Sequence, residues 1–235
     1  MRLDKFISDL VTSSRKEAKK LIIKKRVKVN EKIIVDEGYK VNEYEDVVMV
    51  DDNQIIYQQF HYYILNKPKG LVTSTLDENP TVMSLIHEYP KYNLAPVGRL
   101  DKDTEGLLLI TDDGILSHIL TSPKHHVDKT YYVEILREIS ISDIQKLEEG
   151  VILDDGYKTK KATVKMISPT AIELTIHEGK FHQVKRMLES VNNKVTYLKR
   201  ISFGPLNLDK LELGNYRELT EKEIELLNKI KNKSN

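Results

Sequence analysis

The chain of 235 residues contains no cysteine, so it can carry neither a disulfide framework nor a thiolate metal site. It has no apolar run approaching the ~18 residues that span a bilayer, and no membrane contact is expected of it. The opening MRLDKFISDL puts charges where an export signal needs an apolar stretch. The expectation is a chain without a signal peptide that works in the cytoplasm. Neither a P-loop nor a GxGxxG dinucleotide fingerprint occurs, and there is no internal repeat or low-complexity tract. Net charge is scarce too. Lys+Arg number 37 and Asp+Glu 36, a formal balance of +1, where a nucleic-acid-binding domain is ordinarily basic.

That balance hides a segregated distribution. Residues 1–32 hold 11 Lys+Arg against 4 Asp+Glu, whereas residues 33–60 hold 1 against 7, and residues 177–200 hold 6 against 2. A polyanion responds to the local field of a patch rather than to the total. The basic N-terminal stretch therefore keeps nucleic acid open as a partner.

Hydrophobic spacing divides the chain near residue 59. Leu3, Phe6, Ile7 and Leu10 share one face of a short helix. Ser13 or Ser14 precedes a second helix, and Ser14 with Glu17 has capping-box spacing. That helix buries Ala18, Leu21 and Ile22 and turns Arg15, Lys16, Lys19, Lys20 and Lys24 outward. Three short strands follow, RVKVN, KIIVD and DVVMV, and DDNQ reads as a linker.

From HYYILNKP onward the pattern changes to strands and helices in irregular alternation. The expected strands are HYYILNKP, LLLIT, KTYYVEIL, KATVKMIS, AIELTIHEG and TYLKRISFG. The expected helices are TVMSLIHE, ILSHILTS, SDIQKLEEG with a Ser142 cap and a Gly150 stop, HQVKRMLESV, and TEKEIELLNKI capped by Thr220. Asp112–Asp113–Gly114 reads as a β-turn, EYPKYN as a loop and the final KNKSN as frayed. Many strands joined by short turns predict an α+β fold with a mixed, largely antiparallel sheet. The expected domains are 1–59 and 60–235.

The segment VGRLDKDTEGLLLITDDG places Gly98, Arg99 and Asp101 on a loop that feeds an apolar strand, a common way of presenting chemistry. Spacing alone reads equally as a turn in which Asp101 or Asp103 caps backbone amides. His125, His126 and Asp128 form no chelating set, because adjacent side chains diverge in regular structure, and no metal is expected.

GRLDKDTEGLLLITDDG closely resembles the signature of the RsuA-like pseudouridine synthases. LNKPKG at 65–70, ITDDG at 110–114, KTYYV at 129–133 and EGKFHQVKRM at 178–187 resemble the same group in the same order. MRLDKFIS with the basic helix behind it resembles the S4 RNA-binding module that precedes these synthases. The resemblance covers essentially the whole chain. It implies an S4-like αα-β domain ahead of a synthase domain, and the isomerisation of a uridine in ribosomal RNA to pseudouridine.

In that reaction the N1–C1′ bond breaks, the base turns, and it rejoins through C5. Nothing is oxidised, hydrolysed or passed to a second molecule, and no cofactor is expected. The resemblance makes Asp101 the essential carboxylate; attack at C1′, attack at C6 and removal of a sugar proton all stay open. It makes Tyr131 the ring that packs on uracil and moves a proton, with Tyr132 as its core-packing counterpart on the other strand face. Lys185 becomes the basic partner that keeps Asp101 charged and oriented. Arg99 fills the gap left by the flipped nucleotide, Leu100 and Val184 line the uracil pocket or simply pack, and Arg186 is the fallback for Lys185 but is rather expected to face RNA. Arg15, Lys16, Lys19, Lys20, Lys24 and Arg26 are the expected phosphate contacts of the S4-like module.

The HQVKRM form resembles the synthases of small-subunit 16S rRNA, since the large-subunit 23S branch more often has another residue before the glutamine. The expected partner is that RNA, free or in an assembly intermediate, met by a monomer. Two rivals remain from other classes. One is a non-catalytic rRNA-binding assembly protein. The other is a glycosidase-like hydrolase with Asp101 and Asp103 facing each other across a substrate.

Overall fold

A computed structural model describes residues 1–12, 14–57, 59–89 and 92–233. Ser13, Gln58, two residues of the EYPKYN loop and the last two residues of the chain lie outside them. The chain divides into two compact units, Met1–Gln59 and Phe60–Asn235.

In the first unit, α1 (Leu3–Leu10) and α2 (Arg15–Ile23) precede β1 (Val27–Val29), β2 (Lys32–Ile33), β3 (Val48–Val50) and β4 (Asn53–Ile55). The strands form an antiparallel sheet in the order β2-β1-β3-β4. Leu3, Phe6, Ile7, Ala18 and Ile22 from the helices meet Val27, Val29, Val48 and Val50 in one core. Ser14 caps α2, accepting a hydrogen bond from the Glu17 amide at 3.3 Å. DDNQ is not a linker. Asp51 and Asp52 adopt left-handed backbone in the turn between β3 and β4, and Asn53 and Gln54 already belong to the last strand.

The second unit contains β5 (Tyr62–Lys67), β6 (Ala95–Pro96), β7 (Glu105–Thr111), α3 (Gly114–Thr121), β8 (Lys129–Ile135), α4 (Ile141–Glu149), β9 (Thr163–Ser168), β10 (Ala171–Ile176), α5 (Gln183–Ser190), β11 (Val195–Phe203), β12 (Leu206–Asn207), β13 (Tyr216–Glu218) and α6 (Glu221–Lys233). Its sheet runs β13-β5-β7-β11-β8-β10-β9, with β12 on β11 and β6 on β7. Among the strands of the described residues only β7 and β11 pair in parallel; the remaining strand pairs are antiparallel. The fold is thus α+β with a mixed, largely antiparallel sheet.

All seven residues of β7 are buried, because both faces of the sheet are covered. Leu108 and Ile110 join a cluster with Tyr131, Val133, Val184 and Met187, while Leu107 and Leu109 join one with Leu116, Leu120, Phe203 and Leu227. The strand's period of two assigns alternate residues to opposite layers. At the parallel junction Gly106 lies opposite Arg200 with φ 107°, and a Cβ there would stand 2.2 Å from the Arg200 carbonyl oxygen. Only glycine lets these two strands meet.

Three local expectations change. TVMSLIHE forms a single 3-10 turn, Val82–Leu85. The cap of α4 is Ser140, in a reciprocal capping box with Asp143, rather than Ser142. Asp113 is no turn residue but the N-cap of α3, its carboxylate accepting from the Leu116 amide at 3.0 Å.

Candidate active site

The loop that enters β7 is fastened by the turn after β5. Lys67, fully buried at the end of β5, donates to the carbonyls of Asp101 at 3.0 Å, Lys102 at 3.3 Å and Thr104 at 2.8 Å. Burial pushes its ammonium down to about 8, against the nearby carboxylates of Asp103, Asp101 and Glu105, which raise it. The Gly70 amide donates to Lys102 O at 2.7 Å. Thr73 Oγ1 donates to the Leu100 carbonyl at 2.8 Å and accepts from its amide at 3.2 Å. LNKPKG and GRLD therefore form one structural piece.

This piece forms one wall of a cavity of about 900 Å³. Asp101, a quarter exposed, points into it. Its Oδ2 lies 3.1 Å from Lys185 Nζ, and its Oδ1 lies 3.6 Å from His182 Nε2. Lys185 is carried by the first turn of α5, whose Val184, Met187 and Leu188 are anchored in the core. The same ammonium reaches Asp103 Oδ1 at 2.7 Å. Burial lowers the Lys185 pKa, but its bonds to Asp103 and Asp101 outweigh that and raise it. Burial likewise raises Asp103, and the Lys185 bond and charge outweigh it, holding the carboxyl below its ordinary value. One lysine thus gathers two carboxylates, Asp101 inside the cavity and Asp103 70% exposed at its edge.

Tyr131 projects from β8 on the cavity side and is buried. Leu100 and Val184 both line the cavity and belong to the core, so the two readings of them coincide. Arg99 is exposed and lines the same cavity.

Other expectations move. Tyr132 is not packed in the core; it is half-buried, donates to Glu134 at 3.2 Å and meets the Tyr197 ring edge-on. Arg186 is engaged within the protein: Asp154 and Asp155 hold its guanidinium, the side chain is 13% exposed, and Nη1 donates to the Phe181 carbonyl at 3.2 Å. In the first unit Lys19 pairs with Glu37 at 2.6 Å and Arg26 with Asp51. Arg15, Lys16, Lys20 and Lys24 stay exposed, and none of them forms an ion pair among the described residues.

Sequence reasoning gave no part to His182, Lys67, Lys129 or Arg200. Lys129 and Arg200 are buried cations in the cavity wall. Burial, then the Arg200 charge, pushes Lys129 down to about 8. Strand alternation carries a signal for both, since Lys129 shares a face with Tyr131 and Arg200 with Leu198. Among the described residues no cluster of three or more histidine or acidic side chains could hold a metal ion, and no helix is long and apolar enough to cross a membrane.

Known proteins share the sequence and the fold that carry this site. The RNA pseudouridylate synthase family model matches residues 61–190 and the S4 domain model residues 1–48. The chain is 46% identical to the uncharacterized RNA pseudouridine synthase YtzG of Bacillus subtilis strain 168, over 97% of this chain and 98% of that protein. It is 42% identical to ribosomal small subunit pseudouridine synthase A of Escherichia coli K12, over 95% and 98%. A crystal structure of a pseudouridylate synthase superposes with a TM-score of 0.69 at 40% identity, over 97% of this chain and 99% of that one. The chain belongs to the RNA pseudouridylate synthase family, carries an S4 domain ahead of the synthase domain, and isomerises uridine to pseudouridine in RNA.

Proposed function

We propose that the substrate is one uridine of small-subunit ribosomal RNA, flipped into the cavity of residues 60–235 while residues 1–59 hold the RNA through its phosphates. The observation that carries the catalytic reading is the Asp101–Lys185 ion pair inside a cavity also lined by Tyr131. Attack at C1′, attack at C6 and removal of a sugar proton all require an ionised carboxylate. A lysine 3.1 Å away supplies the counter-charge and fixes which oxygen is free. The free oxygen faces His182. Tyr131 packs on the uracil while the base turns, and Leu100 and Val184 give it apolar walls that keep it from escaping. A proton leaves C5 as the new bond forms and one is gained at N1, so the product has the substrate's composition. Arg99, exposed at the cavity, takes the place of the flipped nucleotide in the RNA stack.

The choice of small-subunit RNA is supported by the relatives of that name at 42–43% identity over nearly full length. With a ribosomal substrate, the enzyme works in the cytoplasm. The test is to map pseudouridine in both ribosomal RNAs from cells lacking the protein, then complement with wild type and with Asp101→Asn. One small-subunit position should lose its modification and regain it only with wild type. Loss at a large-subunit position overturns the address. An Asn variant that restores the modification overturns the role of Asp101.

A further inference from the structure

The segment between β10 and α5 holds an apolar exposure at the cavity that the chemistry above does not use. Phe181 is 76% exposed, although it lines the same cavity as Asp101. One face of its ring lies on the His182 imidazole, with centroids 3.8 Å apart and planes 17° from parallel. His182 in turn reaches toward Asp101 Oδ1. A flexible phenylalanine would lower its free energy by folding onto the protein. The stacking partner of this one is His182, and the backbone that carries it is fixed.

Three contacts hold it. The Phe181 carbonyl accepts from Arg186, whose guanidinium is pinned by Asp154 and Asp155. The Lys180 amide donates to Gln183 Oε1 at 2.9 Å, and Gln183, itself buried, donates to Glu178 at 2.8 Å. His182 takes a left-handed backbone, φ 49° and ψ 31°, which turns the chain sharply into α5. An exposed aromatic on a fixed backbone is the arrangement that single-stranded RNA uses for stacking, because every base offers a π-face.

We propose that the open face of Phe181 is a stacking platform for the nucleobase next to the reacting uridine, extending the stack from His182 through Phe181 to the RNA. This rests on the reading that Asp101 acts on a flipped uridine. The imidazole separates Phe181 from the carboxylate, so the base it meets is a neighbour and not the uridine that touches Asp101. No polar group is needed at this contact, and it tolerates any base.

The sequence has no tryptophan, so Phe181→Trp in the full-length chain supplies a single tryptophan at the platform, excited at wavelengths where tyrosine does not absorb. The probe is an RNA oligonucleotide carrying the mapped uridine, in three further versions with an abasic residue 5′ of it, 3′ of it or at its own position. Emission should fall on binding, and the fall should vanish with one of the two neighbouring abasic sites. Phe181→Leu should raise KM for the oligonucleotide by about 5- to 100-fold, the worth of one base stack, with most of the effect in KM rather than kcat. Three results overturn the proposal: quenching that survives both neighbouring abasic sites, quenching lost only when the target base is missing, or a Phe181→Leu KM equal to wild type. A wild-type enzyme that forms no pseudouridine in the intact oligonucleotide overturns the underlying reading instead.

Discussion

A single lysine bound to two carboxylates raises the question of which pair matters, and burial answers it. Asp103 is 70% exposed and closer, whereas Asp101 is 26% exposed and slightly farther. Exposed pairs contribute only about 0–1 kcal/mol because water and salt screen them. Asp103→Asn should therefore change turnover by less than about 5-fold, a shift within that range. Lys185→Met leaves Asp101 in the cavity without its counter-charge. Turnover should fall by about 100-fold or more, the usual loss when one preorganised electrostatic partner is removed, and Lys185→Arg should recover part of it. Single-turnover pseudouridine formation measures all three. Equal losses in the Asp103 and Lys185 variants would mean that the rim carboxylate shares the work.

The elements that position this site were legible wherever the hydrophobic period was long enough to count. β5, β7, β8, β10 and β11 each run six residues or more and coincide with apolar runs in the sequence. β6, β12 and β13 have two or three residues, too few for any alternation, and they exist because a longer neighbour offers an edge. Asp101 was recognisable only through its ordered companions, since its own spacing fits a turn. Lys67 and His182 were out of reach for another reason: their contacts depend on where a distant loop docks. Asp113 shows the same limit. Its local context suggests a turn, but in the fold it caps α3 and accepts from Tyr62 OH at 3.0 Å and from Lys231 of α6 at 2.7 Å. Burial raises its pKa, and the bonds from Leu116, Lys231 and Tyr62 outweigh that, so the folded value lies below the ordinary 3.8. Between those two values the unfolded chain binds the extra proton. The stability contributed by Asp113 is thus complete above about pH 4 and is lost as pH falls through the folded value. Asp113→Ala should cost about 3 kcal/mol in urea unfolding at neutral pH, the low end for breaking a buried pair. The variant should also lose less stability than wild type on acidification. An unchanged acid limb would remove Asp113 as its source.

Along the whole molecule, the charge segregation of the sequence is partly undone by folding. Lys19 finds Glu37, Arg26 finds Asp51, and Lys28 finds Asp52, so acids of the 33–60 stretch neutralise cations of the 1–32 stretch. The exposed cations of that stretch with no ion pair among the described residues are Lys5, Arg15, Lys16, Lys20, Lys24, Lys25 and Lys32, and the phosphate contacts proposed among them are Arg15, Lys16, Lys20 and Lys24. Cations already paired must break an internal bond before meeting a phosphate, whereas these four would release counterions directly. Each phosphate neutralised on a single strand contributes ~0.7 to the slope of log K against log salt. Replacing all four with alanine should therefore reduce that slope by about 3. The double replacement of Lys19 and Arg26 should reduce it by less than about 1. Anisotropy titrations of the Asp101→Asn enzyme with labelled RNA, between about 50 and 200 mM salt, span the range where such contacts are read. If the double variant lost as much slope per residue as the quadruple one, the internal pairs would have to open on binding. The RNA would then be held by the full basic stretch rather than by the α2 face alone.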